Sequence, residues 1–289
     1  MDRIVKVIEE AVQVSSEGRE VNECDYEKDG LIYCGKCHTP KQHLVKFPWG
    51  DRKPRVNCKC EQEIADEIAK QKKEKLHRLK VEELRKDCFP SKAMATFTFA
   101  NDDGSAPELM QYARNFVNNW KDFYSRGKGL LIYGSVGIGK TYASCCIANA
   151  LVEHEIPCKF TDFSRIGNEL QETWAKQEYL DKFDEYPLVI VDDLGVERRS
   201  EYMNEMVYNF IQHRCLSGFP LIVTSNLTKA ELTNTADIRN HRIYSRLFDM
   251  CTPIMLKGED LRKKNTAKSF DEDMRKLRGE INAEGYKNG

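Results

Sequence analysis

With 289 residues, 31% of them charged and 40% hydrophobic, the chain is long enough for two domains and at least one sizeable core. Its 45 Lys and Arg balance 46 Asp and Glu to a net charge of -1, which excludes whole-molecule attraction to nucleic acid and requires a local basic cluster for any phosphate contact. No apolar run approaches the roughly 18 residues of a membrane span and the charged N-terminus lacks a signal-like apolar core, so a cytoplasmic protein with no membrane partner is expected.

Residues 1–17 carry Ile4, Ile8, Ala11 and Val12 at helical spacing and predict a short amphipathic helix. Next come two close cysteine pairs, Cys34-x-x-Cys37 and Cys58-x-Cys60, in a segment where Gly35, Pro40, Pro48, Gly50 and Pro54 impose turns. Eleven cysteines are an odd number and argue against a disulfide scaffold in an intracellular chain. Paired cysteines at this separation have the layout of a tetrahedral structural Zn²⁺ site, although the second pair is tighter than the usual two-residue spacing. Unrelated reduced thiols are the other reading. His38 and His43 could replace one thiolate, although His38 adjoins Cys37 and is poorly placed to join it, and Cys24 and Cys88 fall outside the spacing as free thiols. Residues 1–60 thus read as a helix plus a four-cysteine zinc-binding domain.

Over 61–90 the chain is dense in Lys, Arg and Glu, and Glu61 to Lys86 contains neither Gly nor Pro, which predicts a long helical linker ended by Pro90. Its apolar residues, Ile64, Ile68, Leu76, Leu79 and Leu84, are sparse; such a helix is a solvated connector or a partner-binding surface. A second domain is expected over 91–265. Ser105 and Glu108 have capping-box spacing, opening a helix that buries Leu109, Tyr112, Ala113, Phe116, Val117, Trp120 and Phe123 and stops near Gly127 and Gly129. Apolar strands are expected at 130–133, 158–161, 188–191, 221–224 and 253–256, separated mostly by helices such as Tyr202 to Cys215. This alternation predicts an α/β fold with a central parallel sheet buried on both faces. The remainder, 266–289, is a charged tail.

Between the first of those strands and the next helix lies Gly134-Ser135-Val136-Gly137-Ile138-Gly139-Lys140-Thr141, which satisfies the phosphate-loop pattern at each fixed position. The glycines let successive N–H groups turn inward on ATP phosphates, Lys140 reaches the β- and γ-phosphates, and Thr141 offers a hydroxyl to Mg²⁺. A second strand ends in Asp192-Asp193: Asp192 is read as the Mg²⁺ carboxylate and Asp193 as the group that polarises the attacking water. A third ends in Thr224-Ser225-Asn226, where Asn226 either contacts the γ-phosphate or water, or makes an ordinary turn. Arg239, Arg242 and Arg246 follow, then Gly258-Glu259-Asp260-Leu261-Arg262. Arginine stabilises charge on a transferring phosphoryl group; a solvated basic face is the alternative.

These motifs, from Gly134 to Arg262, resemble the AAA+ ATPases of the DnaC/DnaI-type replicative helicase loaders, with IstB-type transposition helpers as near relatives. The resemblance implies an AAA+ P-loop fold over about residues 95–265. It makes Asn226 the sensor 1 residue, Arg246 a finger acting on a neighbouring subunit, Arg262 the sensor 2 arginine and Arg242 an interface residue. It further implies self-association through the ATPase domain, a hexameric replicative helicase gripped by the N-terminal domain, and single-stranded DNA as a ligand, with Trp174 as the stacking residue unless it packs in the core. Arg198 and Arg199 are phosphate contacts or solvated. AAA+ proteins mostly carry Glu where Asp193 stands, and a shorter carboxylate implies slow ATP hydrolysis. The expected function is helicase loading during replication initiation; a transposition helper, or a zinc-containing adaptor without turnover, are the alternatives.

Overall fold

In the computed structural model of this chain, residues 24–195, 201–233, 238–258, 260–261, 270 and 273–278 are described, without the side chains of 238–240. The helix expected over 1–17, Arg198, Arg199, Glu259, Arg262 and the side chain of Arg239 lie outside them, and the tail over 266–289 is described only at 270 and 273–278. The chain divides into two units, Met1–Arg78 and Leu79–Gly289.

In the first unit, β1 (Tyr26–Lys28) pairs antiparallel with β2 (Leu31–Tyr33) through Asp29-Gly30, both at positive φ as a two-residue hairpin turn requires. A second hairpin joins β3 (Val45–Phe47) to β4 (Gly50–Arg52). Beneath them Lys41 is buried against Asp25 at 2.6 Å and Glu61 at 3.3 Å, and Glu61 also pairs with Arg55 at 3.0 Å. The Glu61 carboxylate serves the backbone as well, since its Oε2 accepts the Cys58 N–H at 3.2 Å and caps the start of α1 (Lys59–Cys88).

The end of α1 departs from a solvated linker. Ile64, Ile68, Leu76 and Leu79 are exposed as a connector predicts, but Val81 and Cys88 are buried and Leu84 is packed against the core. Ion pairs hold these last turns to the second unit's own elements: Lys80 to Glu155 at 2.6 Å, Arg85 to Glu153 at 2.9 Å and Lys159 to Asp87 at 2.8 Å. Charge density along the sequence concealed a short apolar face.

The second unit continues with α2 (Pro107–Asn118) and α3 (Trp120–Ser125). The capping box at Ser105 does not form. Asp102 and Asp103 accept the N–H groups of Gly104 and Ser105 instead, Ala106 takes the N-cap position, and Glu108 accepts from the hydroxyl of an exposed Tyr112. Nor is the helix continuous to Gly127: Asn119 leaves helical geometry at φ -105°, ψ 20°, its side chain donating back to the Asn115 carbonyl at 2.8 Å. There follow β5 (Gly129–Gly134), α4 (Lys140–Glu153), β6 (Cys158–Asp162), α5 (Phe163–Glu172), α6 (Lys176–Asp181), β7 (Leu188–Leu194), α7 (Glu201–Ser217), β8 (Leu221–Ser225), α8 (Lys229–Thr233), α9 (Ile238–Met250) and β9 (Cys251–Leu256).

The five strands β5 to β9 form one parallel sheet in the order β6-β7-β8-β5-β9. Alternate residues serve opposite faces, as the strand period of two dictates. Leu130, Ile132, Leu188, Ile190 and Ile222 pack with α2 and α4, whereas Leu131, Tyr133, Val189, Val191 and Val223 pack with α5, α7 and α9. This is the expected α/β parallel sheet covered on both sides. It sets the carboxyl ends of β7, β8 and β5 side by side, which is where ligands bind in such sheets.

Candidate nucleotide site and cysteine cluster

Backbone geometry explains why the phosphate loop needs its glycines. Gly134 has φ +138°, and a Cβ there would lie 2.0 Å from the Leu256 carbonyl oxygen of β9. Gly139 caps α4 in left-handed geometry at φ +91°, so the N-terminus of that helix faces the loop and favours an anion. Gly137 accepts the Leu261 N–H at 3.0 Å on its carbonyl, and a Cβ on it would meet Asp260 Oδ1 at 1.8 Å. The segment around 260–261 therefore lies directly on the loop.

Lys140 is 5% exposed. Its ammonium donates to the carbonyls of Gly134 at 3.1 Å and Ser135 at 2.7 Å, and to Asn226 Oδ1 at 2.7 Å. Asn226 in turn donates from Nδ2 to Asp193 Oδ1 at 3.1 Å. One amide thus joins the motifs of three neighbouring strands.

The β7–β8 register shifts between Val191 and Leu194, and Asp193 sits at φ +56°. Such an irregularity re-aims side chains: Asp193 is exposed and lines the cleft, while Asp192 turns inward. Asp192 accepts from Thr141 Oγ1 at 2.9 Å and from Thr224 Oγ1 at 2.5 Å, and Thr224 Oγ1 accepts the Asp193 N–H at 2.9 Å. Burial raises the Asp192 pKa above the ordinary carboxylate value, with the neighbouring Asp193 charge adding to it and the two threonine hydroxyls opposing it. A half-buried carboxylate beside a hydroxyl is a donor pair that fits Mg²⁺.

Around these groups is a cleft of about 590 Å³. Val136, Gly137, Gly139, Lys140, Thr141 and Asn226 line it together with Phe97, Asn101, Asp102, Ser105, Met110 and Tyr142, none of which belongs to the nucleotide motifs of the sequence. The Phe97 and Tyr142 rings lie 5.1 Å apart. Thr224, named in the sequence only as part of Thr224-Ser225-Asn226, has a further role on Asp192 whose signal is a hydroxyl closing an apolar strand. Arg242 and Arg246 do not line this cleft. Arg242 is exposed and lines a separate recess of about 270 Å³ with Glu201, Asn204, Glu205 and Tyr208, and Arg246 is half-buried on α9. Trp174 is fully exposed and packs in no core.

Residues 58–269 match the profile of the IstB-like ATP binding protein family. The chain belongs to that family. Over 199 residues, 63% of its length, it is 27% identical to the replicative helicase loader DnaI of Bacillus subtilis (strain 168), of which the match covers 64%. Over 103 residues, 35% of the chain, it is 29% identical to a putative ATP-binding protein in an insertion sequence of Mycobacterium tuberculosis (strain ATCC 25618 / H37Rv), of which 41% is covered. The chain thus spans less than two thirds of either relative. A putative primosome component from Streptococcus pyogenes serotype M3 has the same fold, with a TM-score of 0.50 and 24% identity over 61% of this chain and 95% of that one. The α/β phosphate-loop architecture and the resemblance to DnaI-type and IstB-type proteins both hold.

In this IstB-like ATP-binding protein the family match opens at Cys58 and Cys60, with Cys34 and Cys37 ahead of it. The four sulfurs all lie within 4.8 Å of one another and form the one such candidate group among the described residues. Neither histidine joins them: His38 Nδ1 instead lies 3.2 Å from the Tyr26 hydroxyl. The Thr39 hydroxyl beside Cys37 holds that thiol down to about 5, and hydrogen bonding from Cys37 pushes the Cys60 thiol up to about 12. Four clustered sulfurs cannot all ionise without a cation among them, and a set of four sulfur donors fits Zn²⁺. Among the described residues no helix is long and apolar enough to cross a membrane.

Proposed function

We propose that this chain is an ATP-dependent loader that binds a hexameric replicative DNA helicase and delivers it onto single-stranded DNA. The observation that carries this reading is the match to a replicative helicase loader over 199 residues, 63% of the chain. The cysteine-bearing unit, stiffened by Zn²⁺ at Cys34, Cys37, Cys58 and Cys60, grips the helicase, and the exposed Trp174 stacks on DNA bases.

ATP enters the cleft with its phosphates on the loop Gly134–Thr141. Lys140 exchanges Asn226 and the loop carbonyls for phosphate oxygens, which frees the Asn226 amide to hold the γ-phosphate or the attacking water. Thr141 and Asp192 are the pair that would hold Mg²⁺, which when bound neutralises phosphate charge. Asp193 accepts the proton of the attacking water on its carboxylate, and its short side chain holds that water loosely, so turnover is slow. Arg246 reaches the γ-phosphate of a neighbouring subunit, in keeping with its distance from its own chain's cleft, and Arg242 belongs to the same interface. Arg262 contacts the nucleotide as sensor 2. ATP therefore favours an assembled, DNA-gripping state and hydrolysis releases it.

The insertion-sequence relative supports a second reading, a transposition helper with the same ATPase core. Capture of a replicative helicase by the full-length chain supports the loader; capture of a transposase instead, with no helicase, supports the helper. A complementation assay tests the shared site. Arg246→Ala is expected to keep ATP binding and lose turnover about 10³-fold, with activity restored on mixing with Lys140→Ala chains, which retain the arginine. Turnover undiminished in Arg246→Ala contradicts the trans role, and turnover undiminished in Lys140→Ala contradicts the site.

A further inference from the structure

The hairpin of β3 and β4 lies ahead of the family match and carries two aromatic rings that support no core. The chain turns through Pro48 and Trp49 into Gly50, which stands opposite Phe47 at φ +130°. Glycine leaves the Phe47 ring uncovered from across the strand. Trp49 folds back onto it, with centroids 5.1 Å apart and planes 16° from parallel. Trp49 remains 52% exposed in that position. A flat pair of rings open to water is what a nucleobase stacks upon.

The surroundings are cationic. Arg52 stands opposite Val45, hence on the face that Phe47 shares. Lys36, Lys46, Arg52, Lys53 and Lys59 are exposed, and Asp51 is the sole carboxylate between residues 36 and 59. The other two cations in this stretch, Lys41 and Arg55, are already paired with carboxylates. Lys53 holds the Gly30 carbonyl at 2.6 Å, which leaves its charge unneutralised. In a chain whose net charge is -1, this is the local basic cluster that phosphate contact requires.

We propose that the Phe47–Trp49 ring pair and Arg52 form a binding platform for single-stranded nucleic acid, outside the ATPase unit and independent of its nucleotide. Stacked rings select an unpaired strand, because a base in a duplex has no free face to offer. Exposed Trp and Arg also suit a protein partner, but five exposed cations against the single carboxylate Asp51 in residues 36–59 favour a polyanion. The proposal goes beyond the loader reading, which assigns strand contact to Trp174 and to the second unit.

The test is fluorescence anisotropy of a labelled oligo-dT of about 20 nucleotides, titrated with full-length protein without nucleotide, at several salt concentrations. Trp49→Ala is expected to weaken binding about tenfold and Trp49→Phe to restore most of it, since any aromatic face stacks. Arg52→Ala is expected to reduce the slope of log affinity against log salt by about 0.7. Unchanged zinc content shows that the first unit still folds, and if Trp49→Ala loses it the comparison rests on Trp49→Phe and Arg52→Ala. Binding within twofold of wild type in both Trp49→Ala and Arg52→Ala overturns the proposal. If Trp174→Ala then abolishes binding, the strand contact of the loader reading stands without the hairpin. Loss in the hairpin variants with none in Trp174→Ala keeps the platform and removes Trp174. Intact oligonucleotide binding with lost helicase capture in Trp49→Ala also overturns it, and makes the hairpin a protein-docking face.

Discussion

Asn226 stands between an ammonium and a carboxylate, and its amide satisfies both. The arrangement links Lys140 to Asp193 through one side chain, so in the proposed mechanism a shift of Lys140 toward phosphate reaches Asp193 through Asn226. The backbone also accounts for the short acid at this position. Asp and Asn tolerate the left-handed region far better than longer side chains, and Asp193 has φ +56°. Asp193→Asn keeps that geometry and the shape of the side chain while removing the charge. We expect ATP binding to persist and phosphate release to fall about 10²- to 10⁴-fold; turnover within twofold of wild type contradicts the role of the carboxylate. The phosphate loop was legible in the sequence because its backbone shape dictates glycine at fixed positions. Thr224 was not, because a threonine ending a strand has many ordinary uses, and its partners Asp192 and Asp193 lie about thirty residues away.

At the scale of elements, the apolar strands were legible from composition, since a parallel strand covered on both faces must be apolar throughout. Helix ends were harder, because they depend on competition among nearby polar groups. Asp102 and Asp103 displaced the capping box at Ser105, and Asn119 broke a helix that its apolar spacing would have carried through. Arg214, on the face of α7 that also carries Phe210 and Ile211, was not foreseen as core at all. It is fully buried, and donates to the carbonyls of Phe183 at 2.9 Å, Tyr186 at 3.0 Å and Pro220 at 3.0 Å, tying the turns that lead into β7 and β8. Burial lowers its pKa to about 10, so it stays cationic at neutral pH. Arg214→Met strips those carbonyls of their donor and is expected to destabilise the protein by about 3 kcal/mol, a fall in melting temperature of roughly 6 °C or more. A fall under about 2 °C contradicts the clasp. The cysteine pairs, by contrast, converge as their spacing implied. Metal analysis is expected to find about one zinc per chain, lost in Cys60→Ser; an equal zinc content in that variant rules out the four-sulfur site.

For the whole molecule, strand order was invisible in the sequence, because pairing between distant segments leaves no local pattern. Yet that order turns three separate motifs into one site, by placing β8 between β5 and β7. The sequence resemblance supplied what a single chain does not display: Arg242 and Arg246 lie away from the cleft, so the reading of a shared site rests on a second copy. The most direct test of the account is delivery of the cognate replicative helicase onto circular single-stranded DNA, which offers no end for threading, measured by co-sedimentation with and without this chain and Mg-ATP. Helicase retained on the circle only when the chain and ATP are both present is the predicted result. Helicase that loads equally well without the chain, or never loads with it, contradicts the account.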